Sequence, residues 1–164
     1  MIDLHHGDCL EVLRGLASDS VDAIVTDLAA GTAAEHIVCA ELLLDGWRAF
    51  LTDQMCPYDV AVDIGGRLVR VQVKATRQQR AIPQRAEHIP AYMWHVRRSG
   101  KGGERVYAAD DFDLLALVAL DCRKIAFLPP SEQKQTVHIR PSGTTGGKQF
   151  SDLTFRRAIK ELLS

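Results

Sequence analysis

The sequence predicts an α/β fold, and three observations carry that reading. Two alternating segments, Asp59–Ile64 and Arg67–Thr76, flank the pair Gly65-Gly66. A segment of helical period ends at Gly46. An apolar run, Phe112–Leu120, is followed by a second strand-like segment, Lys124–Leu128. The chain has 164 residues and a mass of 18.1 kDa, with 46% hydrophobic and 25% charged residues. That length and balance suit one globular domain and exclude a disordered or collagen-like chain. The sequence holds neither an apolar run of about 18 residues nor a cationic leader with an apolar core. The expectation is therefore a cytoplasmic protein with no membrane partner.

Taken in order, Ile2–His5 and Val21–Thr26 read as strands around a helix capped by Asp8, in which Leu10, Leu13 and Leu16 recur near helical spacing. Ala29-Ala30-Gly31-Thr32 reads as a junction. Thr32 then caps a helix from Ala33 to about Asp45, with Glu35 at capping-box spacing and Gly46 as its stop. Trp47–Leu51 is a short strand, and the glycine pair joins the next two strands as a hairpin. Residues 77–90 are polar, contain Pro83 and Pro90, and read as a loop. Tyr92–Val96 and Arg105–Tyr107 are strands around the turn-rich Ser99–Gly103. After Pro129-Pro130, residues 131–149 read as a mobile segment, and Ser151 or Asp152 caps a final helix to Leu163. The expected organisation is an N-terminal fragment (1–30), a central domain (31–130), and a flexible segment with a C-terminal helix (131–164).

The four cysteines, Cys9, Cys39, Cys56 and Cys122, have no CxxC or zinc-ligand spacing, so free thiols in a reducing compartment are expected. The six histidines form no HExxH pair, and Gly143–Lys148 falls one residue short of a phosphate-binding loop.

Charge is unevenly placed. The formal net charge is −1, yet residues 1–63 carry twelve acids against two bases, and residues 66–106 carry ten bases against two acids. A basic middle segment suits a polyanion such as DNA. Neutralisation of one half by the other within the fold is the alternative.

Alternation sorts the hairpin side chains into two faces. Val60, Val62 and Ile64 must share a face with Val69, Val71 and Val73 to bury a core, which puts Asp59, Asp63, Arg70, Gln72, Lys74 and Thr76 on the other. A two-residue loop at the glycines pairs Ile64 with Arg67 and sets Asp59 opposite Gln72. Opposed Cβ atoms lie about 4.5–5.5 Å apart, and the diagonal neighbour Lys74 lies at about 7–8 Å. Asp63 is four residues away, on the order of 13 Å, and is the weaker candidate. On the preceding helix, Glu35 begins the apolar stripe of Val38, Cys39 and Leu42. A carboxylate there is expensive unless it caps the helix, is paired, or binds metal. Asp59 and Lys74 could equally form a plain cross-strand ion pair.

These residue types suit metal-assisted phosphodiester hydrolysis. Asp59, the Gln72 amide oxygen and Glu35 offer hard oxygen ligands to Mg²⁺, with Mn²⁺ as a substitute. Lys74 would orient or deprotonate water or stabilise the transition state.

The residues also resemble the PD-(D/E)xK endonuclease superfamily. The match lies in Glu35 on the first helix, Pro57-Tyr58-Asp59, and Val71-Gln72-Val73-Lys74. The Gln-x-Lys form is similar to a group of archaeal resolvases and group I intron homing endonucleases. So are Gly31-Thr32-Ala33-Ala34-Glu35-His36 with Gly46-Trp47, and Tyr107 with Asp113–Val118 and Ile125–Pro129. The resemblance spans residues 31–130. It implies an α/β, restriction-endonuclease-like αβββαβ core with a mixed central sheet, plus the short N-terminal strand–helix–strand appendage. It further implies Mg²⁺ dependence, cleavage of double-stranded DNA, a homodimer or higher assembly, and site roles for Glu35, Asp59, Gln72 and Lys74.

Residues 7–27 resemble the start of DNA amino-methyltransferases, but Asp27 is followed by Leu28-Ala29-Ala30 where those enzymes continue Asp-Pro-Pro-Tyr. No use of S-adenosylmethionine is expected. Nucleic-acid contacts are expected from Arg70, Arg77, Arg80, Arg85, Arg97 and Arg98. Tyr92 and Trp94 could join them or pack in a core.

Overall fold

The computed structural model describes residues 28–53, 55–81, 90–100, 103–105, 107–108, 110–132, 134–141 and 147–164. The expected N-terminal appendage, Cys9 and Arg85 lie outside them, and the side chain of Arg98 is not described.

Helix α1 (Leu28–Leu44) begins five residues before the position read from the sequence. Ala30 and Ala34, four apart, are buried, and the alanine-rich first turns continue the helix through Gly31. Thr32 is therefore inside the helix and caps nothing, and Glu35 is an interior residue rather than the far end of a capping box. The stripe below it is as expected, with Val38, Cys39 and Leu42 buried against the sheet. Gly46, at φ 86°, closes the helix in the left-handed conformation that favours glycine.

The central sheet has the order β1 (Arg48–Leu51), β2 (Val60–Ile64), β3 (Arg67–Thr76), β7 (Leu114–Ala119), β8 (Lys124–Leu128). Only β3 and β7 run parallel, so the sheet is mixed. The β2–β3 register is the one read from the sequence: Ile64 faces Arg67, Val62 faces Val69 and Val60 faces Val71. Gly65 and Gly66 both take positive φ, the requirement of a type I′ turn, and Asp63 Oδ1 accepts from the Gly66 N–H at 2.8 Å. Asp63 also approaches Arg48 at 3.7 Å, so it serves the hairpin.

Among the described residues, the crossover from β3 to β7 carries β4 (Tyr92–His95), β5 (Arg98–Gly100) and β6 (Gly103–Arg105). The second helix, α2 (Phe155–Leu163), comes after β8. Residues 131–149, expected to be mobile, contribute β9 (Thr136–Ile139), which pairs antiparallel with β4. Val137 and Ile139 are buried there, and that burial holds β9 on the sheet.

Two cores result. On one face of the sheet, α1 and α2 cover Val60, Val62, Val69, Val71, Leu114, Ala116 and Val118. On the other, the β4–β9 ribbon covers Leu115, Leu117, Ala119, Ala126 and Leu128. Tyr92 and Trp94 are 3% and 2% exposed, which settles them as core aromatics. The cap of α2 is Thr154, whose side chain accepts from the Arg157 N–H at 3.4 Å. Ser151 and Asp152 instead sit in a 3₁₀ turn whose Phe150, with the following Leu153, is buried under the ribbon.

The β3–β7 junction is held by a fork. Arg70 Nε and Nη2 donate to Asp113 Oδ2 and Oδ1 at 3.0 and 2.9 Å, and Nη1 donates to the Asp110 carbonyl. All three guanidinium nitrogens of Arg70, one of the arginines expected to meet nucleic acid, have protein partners. No helix among the described residues is long and apolar enough to cross a membrane.

Phe155 meets Trp47 and Phe127 edge-on at 5.0 and 5.1 Å. Phe155→Ala should cost about 3–5 kcal/mol, read from the midpoint of denaturant unfolding. A loss under 1 kcal/mol would show that α2 is not part of the core. Burial acts to raise the Asp113 carboxyl, but hydrogen bonds from Arg70 outweigh it and leave the group below its usual range. A depressed carboxylate stabilises the fold above its unfolded pKa, and that stability disappears as pH falls through the folded value. Asp113→Asn should therefore be less stable at neutral pH and flatten the loss of stability below about pH 4, measured by denaturation across pH.

Candidate active site

β2 begins at Val60, whereas β3 continues to Thr76. From Gln72 onward β3 has β7 on one side and, among the described strands, none on the other. Asp59 stands at the point of divergence. Its N–H donates to the Val71 carbonyl at 3.0 Å, as a strand residue would. Its side chain then takes over: Oδ2 accepts from the Val73 N–H at 2.6 Å, a position that the next residue of β2 would otherwise fill. The segment behind it is fixed by the Thr52 N–H on the Asp59 carbonyl at 3.1 Å and by the Thr52 hydroxyl on the Tyr58 carbonyl.

Gln72 is 7% exposed, and its amide donates to Asp59 Oδ2 and, at 3.3 Å, to the Val73 carbonyl. Lys74 follows two residues later on the same face, its Nζ 5.2 Å from the centre of the Tyr107 ring. Glu35 arrives from α1, on the opposite face of the sheet. It can meet the other three only because β2 has ended. Together they line a cleft of about 690 Å³, with Gly31 at the α1 end and Arg77, Arg80 and Arg97 along its walls.

The electrostatics of the two acids are linked. Burial raises the Asp59 carboxyl, against the lowering effects of the Val73 N–H, Lys74 and Gln72. Burial and the charge of Asp59 raise Glu35, with His36 opposing. Two partly desolvated carboxylates, one of them raised further by the charge of the other, are relieved by a shared cation. The donors are all hard oxygens: two carboxylates, the Val73 carbonyl, and the Gln72 amide oxygen after a half-turn of the amide. Among the described residues no group of three or more His, Cys, Asp or Glu gathers elsewhere or here. The set fits an ion that retains several waters, as Mg²⁺ does.

All four residues named from the sequence thus line one cleft, and Arg77, Arg80 and Arg97 join them. Sequence reasoning did not find the Val73 N–H as a partner of Asp59, nor the walls supplied by Met93 and His95. It also gave Tyr107 no place beside Lys74. These contacts bridge a crossover whose path local spacing does not encode.

A PD-(D/E)XK endonuclease profile matches residues 26–156. The chain belongs to the PD-(D/E)XK endonuclease family. No curated protein sequence matches it. Among solved structures it resembles the bacterial homing endonuclease I-Ssp6803I, with a TM-score of 0.60 at 16% identity, covering 85% of this chain and 95% of that one. At that identity the likeness speaks for the fold: an α/β, restriction-endonuclease-like core with a mixed sheet. The family match extends past residue 130, which agrees with the inclusion of β9 and the start of α2 in the same structure as the sheet.

A site of this kind should report its cation without catalysis. At ten times its dissociation constant, Mg²⁺ or Mn²⁺ should raise the melting temperature of this PD-(D/E)XK protein by about 3–6 °C over an EDTA baseline. Asp59→Asn should abolish the rise. An equal rise in both proteins would place the ion elsewhere.

Proposed function

We propose that the protein is a Mg²⁺-dependent endonuclease that hydrolyses phosphodiester bonds of double-stranded DNA. The observation that carries this reading is the gathering of Asp59, Gln72 and Lys74 at the open edge of β3, in an arginine-flanked cleft of a PD-(D/E)XK family member. Asp59, the Gln72 amide oxygen and Glu35 would hold the cation. Once bound, that ion supplies Lewis-acid polarisation of a phosphoryl oxygen and a more acidic water. Lys74 points its ammonium toward the same cleft, where it stabilises the negative charge that grows on the phosphoryl group as the P–O bond to water forms and the bridging P–O bond breaks. Arg77, Arg80 and Arg97 position the backbone phosphates, and Arg85 and Arg98 add further basic residues to this stretch of the sequence.

Apolar surface on β1, where Phe50 is 56% and Leu51 40% exposed, supports a homodimer. A second reading rests on Gln72. Its amide already satisfies Asp59, and it brings no charge of its own, which suits a DNA-binding module with weak or absent cleavage.

Supercoiled plasmid in Mg²⁺ separates the two readings. Wild type should nick or linearise it, EDTA should stop the reaction, and Lys74→Ala should lower the rate by about 10²–10³-fold while retaining DNA binding. Asp59→Ala should abolish cleavage. Binding without cleavage by the wild type, across several metal concentrations, would favour the module.

A further inference from the structure

Three side chains on one face of β3 reach three different partners. Arg70 grips the start of β7, Gln72 meets Asp59, and Lys74 meets Tyr107. The first and third are parts of one device. Besides the guanidinium fork, the Arg70 N–H donates to Asp113 Oδ2 at 2.8 Å and the Asp113 N–H donates to the Arg70 carbonyl at 2.9 Å. The turn leading into Asp113 is closed on itself: the Ala108 N–H donates to Asp111 Oδ2 at 2.9 Å, and the Asp111 N–H donates to the Ala108 carbonyl at 3.2 Å. Tyr107 stands at the head of that turn. Its ring packs edge-on against Phe112 at 5.0 Å, and Phe112 is buried in the ribbon-side core. The ring is thus anchored twice, through the turn and through Phe112, and Lys74 Nζ lies 5.2 Å from its centre. A cation within about 6 Å of a ring centroid is attracted by the ring quadrupole.

We propose that Tyr107 is a positioning residue for Lys74: its ring, fixed to β3 by the Arg70–Asp113 fork, holds the ammonium on the cleft side of the strand. A lysine carries a flexible four-carbon stem and a point charge with little directional preference of its own. An aromatic face beside it narrows the range of that charge. The inference rests on the nuclease reading of the site.

The test uses the full chain with Tyr107→Leu and Tyr107→Phe. In Mg²⁺-dependent plasmid cleavage, Tyr107→Leu should lower kcat by about tenfold and leave KM for DNA within about twofold, while Tyr107→Phe restores kcat. The cation-induced rise in melting temperature should be the same in all three proteins, because Asp59 and Gln72 are untouched. Independently of activity, the Lys74 ε-methylene protons should show an upfield ring-current displacement by NMR in wild type and Tyr107→Phe, and lose it in Tyr107→Leu. Tyr107→Met replaces the leucine variant if that does not fold, with the same expectation. Wild-type kcat in the apolar variant overturns the proposal, as does a loss shared equally by Tyr107→Phe, which would assign the effect to the hydroxyl. A wild type that shows the displacement but cleaves no DNA overturns the nuclease reading and leaves the contact standing.

Discussion

Because β2 begins only at Val60, the Val73 N–H of β3 lacks the main-chain acceptor that a longer strand would have offered. An amide N–H left unsatisfied in a partly buried place costs about 1–3 kcal/mol. Asp59 removes that cost by bending its carboxylate back onto the N–H. The same atom thereby becomes the hinge on which the sheet opens. Without an acceptor of that length at position 59, either β2 would zip further along β3 and close the edge, or β3 would present a bare amide to the cleft. The split in the sheet admits Glu35 from the helix face and Lys74 from the ribbon face into one volume.

This arrangement gives Asp59 two duties that pull in opposite directions. Satisfying the Val73 N–H favours its charged form, whereas its burial opposes charge. The balance leaves two acids and an amide close together with no fixed positive charge between the two carboxylates except that of Lys74 nearby. Sites of that composition are poor stabilising elements and good cation hosts. The fold offsets their burden elsewhere, in two continuous apolar cores on either side of the sheet and in the fork between Arg70 and Asp113.

The charge asymmetry of the sequence resolves into several local arrangements. Arg70, in the basic middle segment, answers acids that lie beyond it, at Asp113 and the Asp110 carbonyl. Arg77, Arg80 and Arg97 line the cleft. Farther along, Glu132 gathers Lys148 and Arg157, lying below its usual range because of them, and so ties the tail to the base of α2. Part of the basic character is thus neutralised within the fold, and part faces the cleft, an outcome between the two that net charge allows.

The hairpin was legible in the sequence because a strand has period two and Gly65-Gly66 admits a turn with both φ positive. Those two facts alone fix which residue faces which, and so brought Asp59, Gln72 and Lys74 to one end of the sheet. The apolar stripe of α1 was legible for the same kind of reason. Its start was not, since Gly31 interrupts the alanines with a poor helix former and burial of Ala30 decided the matter. Nor was β9, whose polar flanks read as a loop until the ribbon-side core gave Val137 and Ile139 somewhere to go. Residue order by itself determined the register and the identity of the charged groups. Tertiary packing decided that β2 begins one residue after Asp59, that Glu35 reaches around the opened edge, and that Tyr107 stands beside Lys74. Such contacts join residues far apart in the chain, and their energies depend on burial and on partners that no local pattern records.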